Sequence, residues 1–183
     1  MPTFARLAIL AVLALAPPAW AEIATPDGQV ILTVGGAIPA GNRGPSTEED
    51  LSVLGKLGAT FETGIALDAA MLADLPQAEI ATTMPGSDMP ATFSGPPLAA
   101  VMQMAGAAGK LALPLALDGY QVEIPWDMIE AYDPILATHV DGTPLGIGDL
   151  GPTMTVFPVV EDAEVYESFL ALQVWATVYL GVE

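Results

Sequence analysis

Residues 92–158 limit the possible folds more than any other part of the chain, because short apolar runs alternate in them with turn residues. Residues 93–97 end one apolar run with two prolines, which suit the first turn of a helix because that turn needs no N–H partner. Leu98, Val101 and Met102 then recur at helical spacing. The pattern predicts a strand that stops at the proline pair and a short helix directly after it.

The same segment predicts several short strands beyond that helix. Residues 111–117 and 121–124 flank the pair Asp118-Gly119, which is typical of a tight turn between antiparallel strands. Residues 135–140 form a further apolar run that leads into Asp141-Gly142, a second turn of the same kind. Strands this short, joined by turns this tight, favour small sheets.

The rest of the chain adds short elements of both kinds. Strands are predicted at residues 29–34, 77–84 and 173–182, where β-branched and apolar residues are frequent. Helices are predicted to begin near Ser46 and at Asp68, since both side chains can accept hydrogen bonds from the free N–H groups of a first turn.

Residues 1–21 have the three parts of a secretory signal peptide. Arg6 supplies a positive charge, residues 7–16 are an unbroken apolar run, and Ala19-Trp20-Ala21 is an A-x-A cleavage site. The run is too short to span a bilayer, which needs about 20 apolar residues. We expect cleavage before Glu22, export to the periplasm or the medium, and a single domain over residues 22–183. An uncleaved membrane anchor is the alternative interpretation.

The composition disfavours several classes of function. Without Arg6, three basic residues remain against 22 acidic ones. Nucleic acids and anionic membrane surfaces are therefore poor partners, because their phosphates require clustered lysine or arginine. The chain has no cysteine, which excludes thiol nucleophiles, thiolate metal sites and disulfides. The core alone has to stabilise the exported domain.

A set of short motifs follows one another in a defined order. The set comprises Phe93-Ser94-Gly95-Pro96-Pro97-Leu98, Asp118-Gly119-Tyr120 with Ile124-Pro125, Ile135-Leu136-Ala137, Asp141-Gly142-Thr143-Pro144-Leu145, Gly151-Pro152, and Trp175 in the last predicted strand. In this order the motifs resemble the molybdopterin-binding domain of the sulfite oxidase family, in particular its small exported single-domain members. The resemblance covers roughly residues 29–183. It implies an α+β fold of several small twisted mixed sheets with short helices.

The resemblance also implies a molybdopterin cofactor, whose metal the family holds with a cysteine after the strand at residues 77–84. Met84 ends that strand here, and a thioether is a neutral, weak ligand. The family surrounds the cofactor phosphate with basic side chains, which are scarce in this chain. We therefore expect no metal site and no bound cofactor. Thr82, Thr83, Met84 and His139 are expected to line what remains of the pocket, facing the loop 146–151.

Two further groups of residues leave alternatives open. His139 is the only histidine; it could act as a base, a ligand contact or a pH switch, although a lone histidine in a strand is more often a partly exposed spacer. Asp141, Asp149 and the acidic run 161–164 offer oxygen atoms for calcium. They lack the spacing of a calcium loop and equally suit a solvated acidic surface.

Two classes of function follow from these observations. In the first, the exported protein is not catalytic and keeps the fold as a module that binds a protein or small molecule of the periplasm. In the second, it is a molybdopterin-dependent oxidoreductase of the sulfite oxidase type with atypical cofactor binding. The missing cysteine and the missing basic residues both favour the first. No twin arginine precedes the apolar run, which predicts export as an unfolded chain without a cofactor.

Overall fold

Small sheets linked by short helices make up the computed structural model, which describes residues 23–183. The predicted signal peptide, residues 1–21, and the cleavage point before Glu22 lie outside the described residues. In chain order the strands are β1 (Val30–Gly36), β2 (Gly64–Asp68), β3 (Ala78–Thr83), β4 (Pro90–Gly95), β5 (Ala112–Ala116), β6 (Ile135–Ala137), β7 (His139–Val140), β8 (Thr143–Pro144), β9 (Met154–Val156) and β10 (Thr177–Val182). The helices are α1 (Val53–Lys56), α2 (Ala69–Ala73), α3 (Leu98–Met104), α4 (Trp126–Tyr132) and α5 (Ala163–Leu172).

The first sheet has the strand order β2-β1-β10-β5. β1 runs parallel to β10, whereas β2 and β5 pair antiparallel with these two central strands. Because side chains alternate between the faces of a strand, Leu32 and Leu180 enter the largest core cluster on one face. Tyr179 packs with Phe61 in a smaller cluster on the other face. The central strands are therefore buried on both sides.

The second sheet has the order β3-β4-β7-β8, with all its strands antiparallel. β4 alternates between buried and partly exposed residues, and its buried Phe93 is the centre of a separate apolar cluster. β6 and β9 form a two-stranded sheet whose residues are all buried. Leu136 of this pair donates its N–H to Pro96, just after β4, and Thr155 donates to Val174, just before β10.

The helices begin where their capping residues allow. α3 and α4 both start directly after a proline, Pro97 and Pro125, as the first-turn preference of proline predicts. At α2 the Asp68 carboxylate accepts hydrogen bonds from the N–H groups of Met71 and Gly28, and these bonds hold the pKa of Asp68 below its usual range. None of the described helices is long and apolar enough to cross a membrane.

The prediction of an α+β arrangement of several small sheets and short helices is confirmed at that level. Four elements differ from their predictions. The helix expected near Ser46 begins only at Val53, because Ser46 pairs in an extended bridge with Phe61. Residues 121–124 make two isolated bridges with β5 instead of a strand. The run 135–140 is divided between β6 and β7, which belong to different sheets.

The closing strand is also shorter than predicted. It begins at Thr177 because Ala176 adopts a left-handed conformation, with φ of 49°, and donates its N–H to the Leu150 carbonyl. Trp175 therefore lies in the turn before the strand, where 46% of its surface is exposed.

Candidate functional site

The residues predicted to line one pocket lie at two ends of the second sheet. The register pairs Glu79 with Ser94, and Ser94 with His139, so His139 lies level with the beginning of β3. Met84 follows the opposite end of that strand. At about 3.3 Å for each residue of a strand, the two positions are well over one side-chain length apart. The expected common cavity of Met84 and His139 is not formed.

His139 lies beside an open cavity of about 630 Å³ that Gln77, Glu79 and Ser94 also line. Its Nδ1 lies 2.9 Å from the hydroxyl of the neighbouring Thr138, within hydrogen-bond distance. No lysine or arginine lines this cavity, and Glu79 contributes a negative charge. In the part of the chain that the structure describes, the site offers a partly exposed imidazole beside the Thr138 hydroxyl.

Thr82, Thr83 and Met84 line a second cavity of about 400 Å³ together with Tyr166 of α5. The hydroxyl groups of Thr82 and Tyr166 lie 3.3 Å apart and share a hydrogen bond. This contact joins α5 to the second sheet. The loop 146–151 is not part of this cavity, so the predicted arrangement of strand end, histidine and loop is absent from the described residues.

The donor atoms at this sheet do not fit a molybdopterin cofactor. The chain contains no cysteine, and the strand end where the family resemblance would put one carries the Met84 thioether. No group of three or more histidine or carboxylate residues in residues 23–183 is arranged to hold a metal ion. The Asp141 carboxylate, considered above as a calcium ligand, accepts a hydrogen bond from the Thr92 N–H and so ties the turn after β7 to β4.

The basic side chains of the described residues lie elsewhere. Lys110 donates to the carbonyl of Ala37, and Lys56 ends the short helix α1. Arg43 lies beside the first sheet. None of the three lines either cavity at the second sheet. A phosphate group there would meet Glu79 or Asp88 and no cation, so the cofactor phosphate has no electrostatic partner.

A different cavity, of about 320 Å³, lies against the first sheet and contains Arg43. β1 forms its floor with residues 30–33, and Val178 of β10 adds to it. Val53 of α1 and Ile147 of the loop 146–151 form two of its walls. We call this space the Arg43 cavity. Its walls are mainly aliphatic, and Arg43 is the one charged residue in its lining.

The loop that carries Arg43 is fixed to β2 through the preceding residue. The Asn42 side chain donates to the carbonyls of Ala24 and Ala66, at 2.7 and 3.0 Å, and accepts from the Ala66 N–H at 2.7 Å. Arg43 itself exchanges two backbone hydrogen bonds with Gly64. A side chain at Gly41 would collide with the Gly64 carbonyl, so glycine is required there. The backbone of Arg43 is therefore held before any ligand arrives.

The guanidinium group of Arg43 is also held in place. Nη1 donates to the Thr33 hydroxyl at 2.9 Å, and the guanidinium carbon lies 5.6 Å from the centroid of the Phe61 ring. Phe61 stacks in turn on Tyr179, with centroids 5.7 Å apart and an interplanar angle of 12°. Burial, and secondarily the charge of Glu183, raises the pKa of Tyr179 to about 12. The cation thus rests on a two-ring apolar support.

Arg43 is a residue that the sequence reasoning missed. Residues 37–45 are rich in glycine and proline and form a loop, and their pattern alone assigns that loop no role. A signal was present, since only three basic residues follow residue 21 and one of them lies in a loop between Asn42 and Gly44. The contacts that position it, with Thr33, Phe61 and Ala66, cannot be derived from neighbouring residues in sequence.

Comparison with known proteins gives a relation at the level of the fold. No protein-family model matches the chain, and no curated protein matches its sequence. A solved structure that does match is the crystal structure of the sulfane dehydrogenase SoxCD from Paracoccus pantotrophus, with a TM-score of 0.54 and 15% sequence identity. The match covers 84% of this chain and 38% of that chain. It supports a distant relation to the molybdopterin-domain fold that the sequence resembles.

Proposed function

We propose that this protein is an exported, non-catalytic binding module built on a molybdopterin-domain fold. The observation that carries the proposal is the chemistry at the end of β3, where the family resemblance would put a cysteine: Met84 lines the cavity there, the chain has no cysteine, and the lining contains no basic residue. The partner is a protein or a small molecule of the periplasm, or of the medium if the protein is secreted.

Two independent physical arguments support the absence of a catalytic centre. A thioether carries no charge and cannot replace the thiolate that binds molybdenum in the family. A phosphate dianion brought out of water without a cation costs several kcal/mol even after the protein relaxes. The formal net charge of −18 adds a general repulsion of anions.

The decisive experiment is a chemical analysis of protein purified from a host with ample molybdenum. We expect no stoichiometric molybdenum and no pterin fluorescence after denaturation. The variant Met84→Cys should also lack both, because a new thiolate leaves the phosphate without cationic partners. The matched variant Met89→Cys places the same thiol in a neighbouring exposed position and controls for nonspecific metal uptake.

Metal at about one atom per chain in the wild-type protein would contradict the proposal. Redox activity that disappears when pterin synthesis is blocked would establish the oxidoreductase instead. Export is tested separately by mass spectrometry of the protein recovered from the periplasm. A mature N-terminus at Glu22 is expected, and an intact Met1 would contradict it.

A further inference from the structure

Arg43 makes no ion pair with any carboxylate of the described residues. This is unusual in a chain with 22 acidic residues, where a half-buried cation would ordinarily attract one of them. Its hydrogen bond to Thr33 uses one of the several N–H donors of the guanidinium. The remaining donors are free to bind an anion in the cavity.

The support beneath Arg43 reduces the cost of binding. Asn42 fixes the backbone of the loop, Thr33 fixes one end of the guanidinium, and Phe61 supports its face. A side chain that is already ordered loses little rotamer freedom when a ligand arrives. Planar guanidinium groups held in this way pair with planar carboxylates through two parallel hydrogen bonds.

The walls of the cavity define the rest of the ligand. Val30, Val53 and Ile147 line the cavity, and all three are exposed. A ligand with an apolar chain would remove these surfaces from water, which is favourable by about 0.8 kcal/mol for each buried CH₂ group in general. The volume of about 320 Å³ is at the small end of ligand cavities and suits a short chain.

The charge of the ligand is limited by the absence of a second cation. Neither Lys56 nor Lys110 lines the cavity. A single guanidinium balances a carboxylate, whereas a phosphate dianion would keep an unbalanced charge in an acidic protein. Charge and shape therefore point to a monoanion with one apolar end.

We propose that the Arg43 cavity binds a small aliphatic monocarboxylic acid, with its carboxylate on the Arg43 guanidinium and its chain between Val53 and Ile147. This inference rests on the binding role proposed above and adds a site and a class of ligand to it. The site is separate from the second sheet, where the family resemblance would have placed the cofactor.

The test is titration of the full exported protein with octanoate, followed by calorimetry and by the NMR signals of the arginine side chains. Wild-type protein should bind octanoate, and Arg43→Gln should weaken binding at least about tenfold because the charge-assisted hydrogen bonds are lost. Arg43→Lys should bind more weakly than the wild type and more tightly than Arg43→Gln, since lysine keeps the charge without the planar pair. Lys56→Gln makes the same change of charge outside the cavity and should alter the affinity by less than about twofold.

The apolar part of the site has its own matched variants. Val53 and Val159 are each 56% exposed, but only Val53 lines the cavity. Val53→Asp should abolish octanoate binding, and Val159→Asp should leave it unchanged. Acetate, which lacks the chain, should bind at least about tenfold more weakly than octanoate. Because both valines are exposed, these variants test the site even if a change at Arg43 prevents folding.

Several results would overturn the inference. They are a lack of octanoate binding, equal binding of wild-type protein and a folded Arg43→Gln variant, and binding of inorganic phosphate more tightly than octanoate. A dimer in sedimentation that Val53→Asp dissociates would assign the cavity to a second copy of the chain instead. The molybdenum analysis separates this inference from the proposed function. If the protein contains no metal and does not bind octanoate, only the inference about the Arg43 cavity is wrong. If the protein contains metal and binds octanoate, only the non-catalytic role is wrong.

Discussion

The first and second sheets of this protein both border cavities, but the charged residues that line these cavities differ. The Arg43 cavity of the first sheet has one ordered cation and aliphatic walls. The cavities of the second sheet contain Glu79 or Asp88 and no lysine or arginine. The resemblance to a cofactor-binding family directs attention to the second sheet, whereas the chemistry suited to an anion is beside the first.

This difference shows that the resemblance of a fold to a family and the binding chemistry of its surface have to be considered separately. A shared fold does not carry function with it, because function depends on the residues at a site. In a chain of formal net charge −18, the position of each remaining cation decides where an anion can bind. We therefore expect that a substitution in the second sheet does not change ligand binding at the Arg43 cavity of the first sheet.

The largest effect is expected at the second sheet. Phe93 is fully buried in the cluster between β3, β4 and β9, so Phe93→Ala should lower the free energy of unfolding by about 3–5 kcal/mol in urea denaturation. The smaller change Phe93→Leu should cost about 1 kcal/mol. The Phe93→Ala protein that remains folded should bind octanoate with wild-type affinity. Loss of binding in proportion to the loss of stability would show that the sheets are not independent.

A somewhat smaller effect is expected at the first sheet. Phe61 is buried beneath the Arg43 guanidinium and stacks on Tyr179, so Phe61→Ala should lower the free energy of unfolding by about 3 kcal/mol. Unlike Phe93→Ala, it should also weaken octanoate binding, because the guanidinium loses its support. Phe61→Tyr keeps the ring and should keep most of the affinity. If the Phe61→Ala variant bound octanoate with unchanged affinity, the Phe61 ring would not contribute to binding at the Arg43 cavity.

Local sequence signals predicted the elements that depend on local sterics. The helix after the proline pair is observed as α3, and Gly119 in the predicted turn has φ of 90°, a conformation open to glycine. The start of β10 was not predictable in this way. It is fixed by hydrogen bonds from Ala176 to Leu150 and from Leu117 to Ala176, which join segments distant in sequence.

The candidate site depends still more on such distant contacts. Arg43 is positioned by Thr33, Gly64 and Phe61, and the pattern of residues 37–45 indicates only a loop. The common pocket expected for Met84 and His139 is not formed, because the register between strands decides which side chains are neighbours, and the positions of the strands in the sequence do not reveal that register. β3 was correctly predicted as a strand, yet its pairing with β4 sets His139 level with Glu79 and away from Met84.

A third prediction concerns the pH dependence of the first sheet. Because burial raises the pKa of Tyr179 to about 12, above its ordinary value near 10, the folded state holds this proton more tightly than the unfolded state does. The resulting stability is fully present below about pH 10 and is lost as the pH rises towards about 12. Tyrosinate absorbance should show one late ionisation near pH 12. Tyr179→Phe should remove that step and flatten the alkaline loss of stability, while Tyr132→Phe should leave the step in place.

The smallest effect is expected at His139, on the second sheet. Its imidazole is partly exposed, and its side-chain contact is a hydrogen bond with the adjacent Thr138. His139→Gln keeps a polar side chain of similar reach, so the free energy of unfolding should change by no more than about 0.5 kcal/mol, the usual range for surface substitutions. Octanoate binding should be unchanged because the imidazole does not line the Arg43 cavity. A larger decrease in the free energy of unfolding, or any change in the affinity for octanoate, would mean that His139 contributes to stability or to binding. It would also bring the second sheet back as a site of function, and a measurement of ligand binding at the cavity lined by Glu79 and Ser94 would then be required.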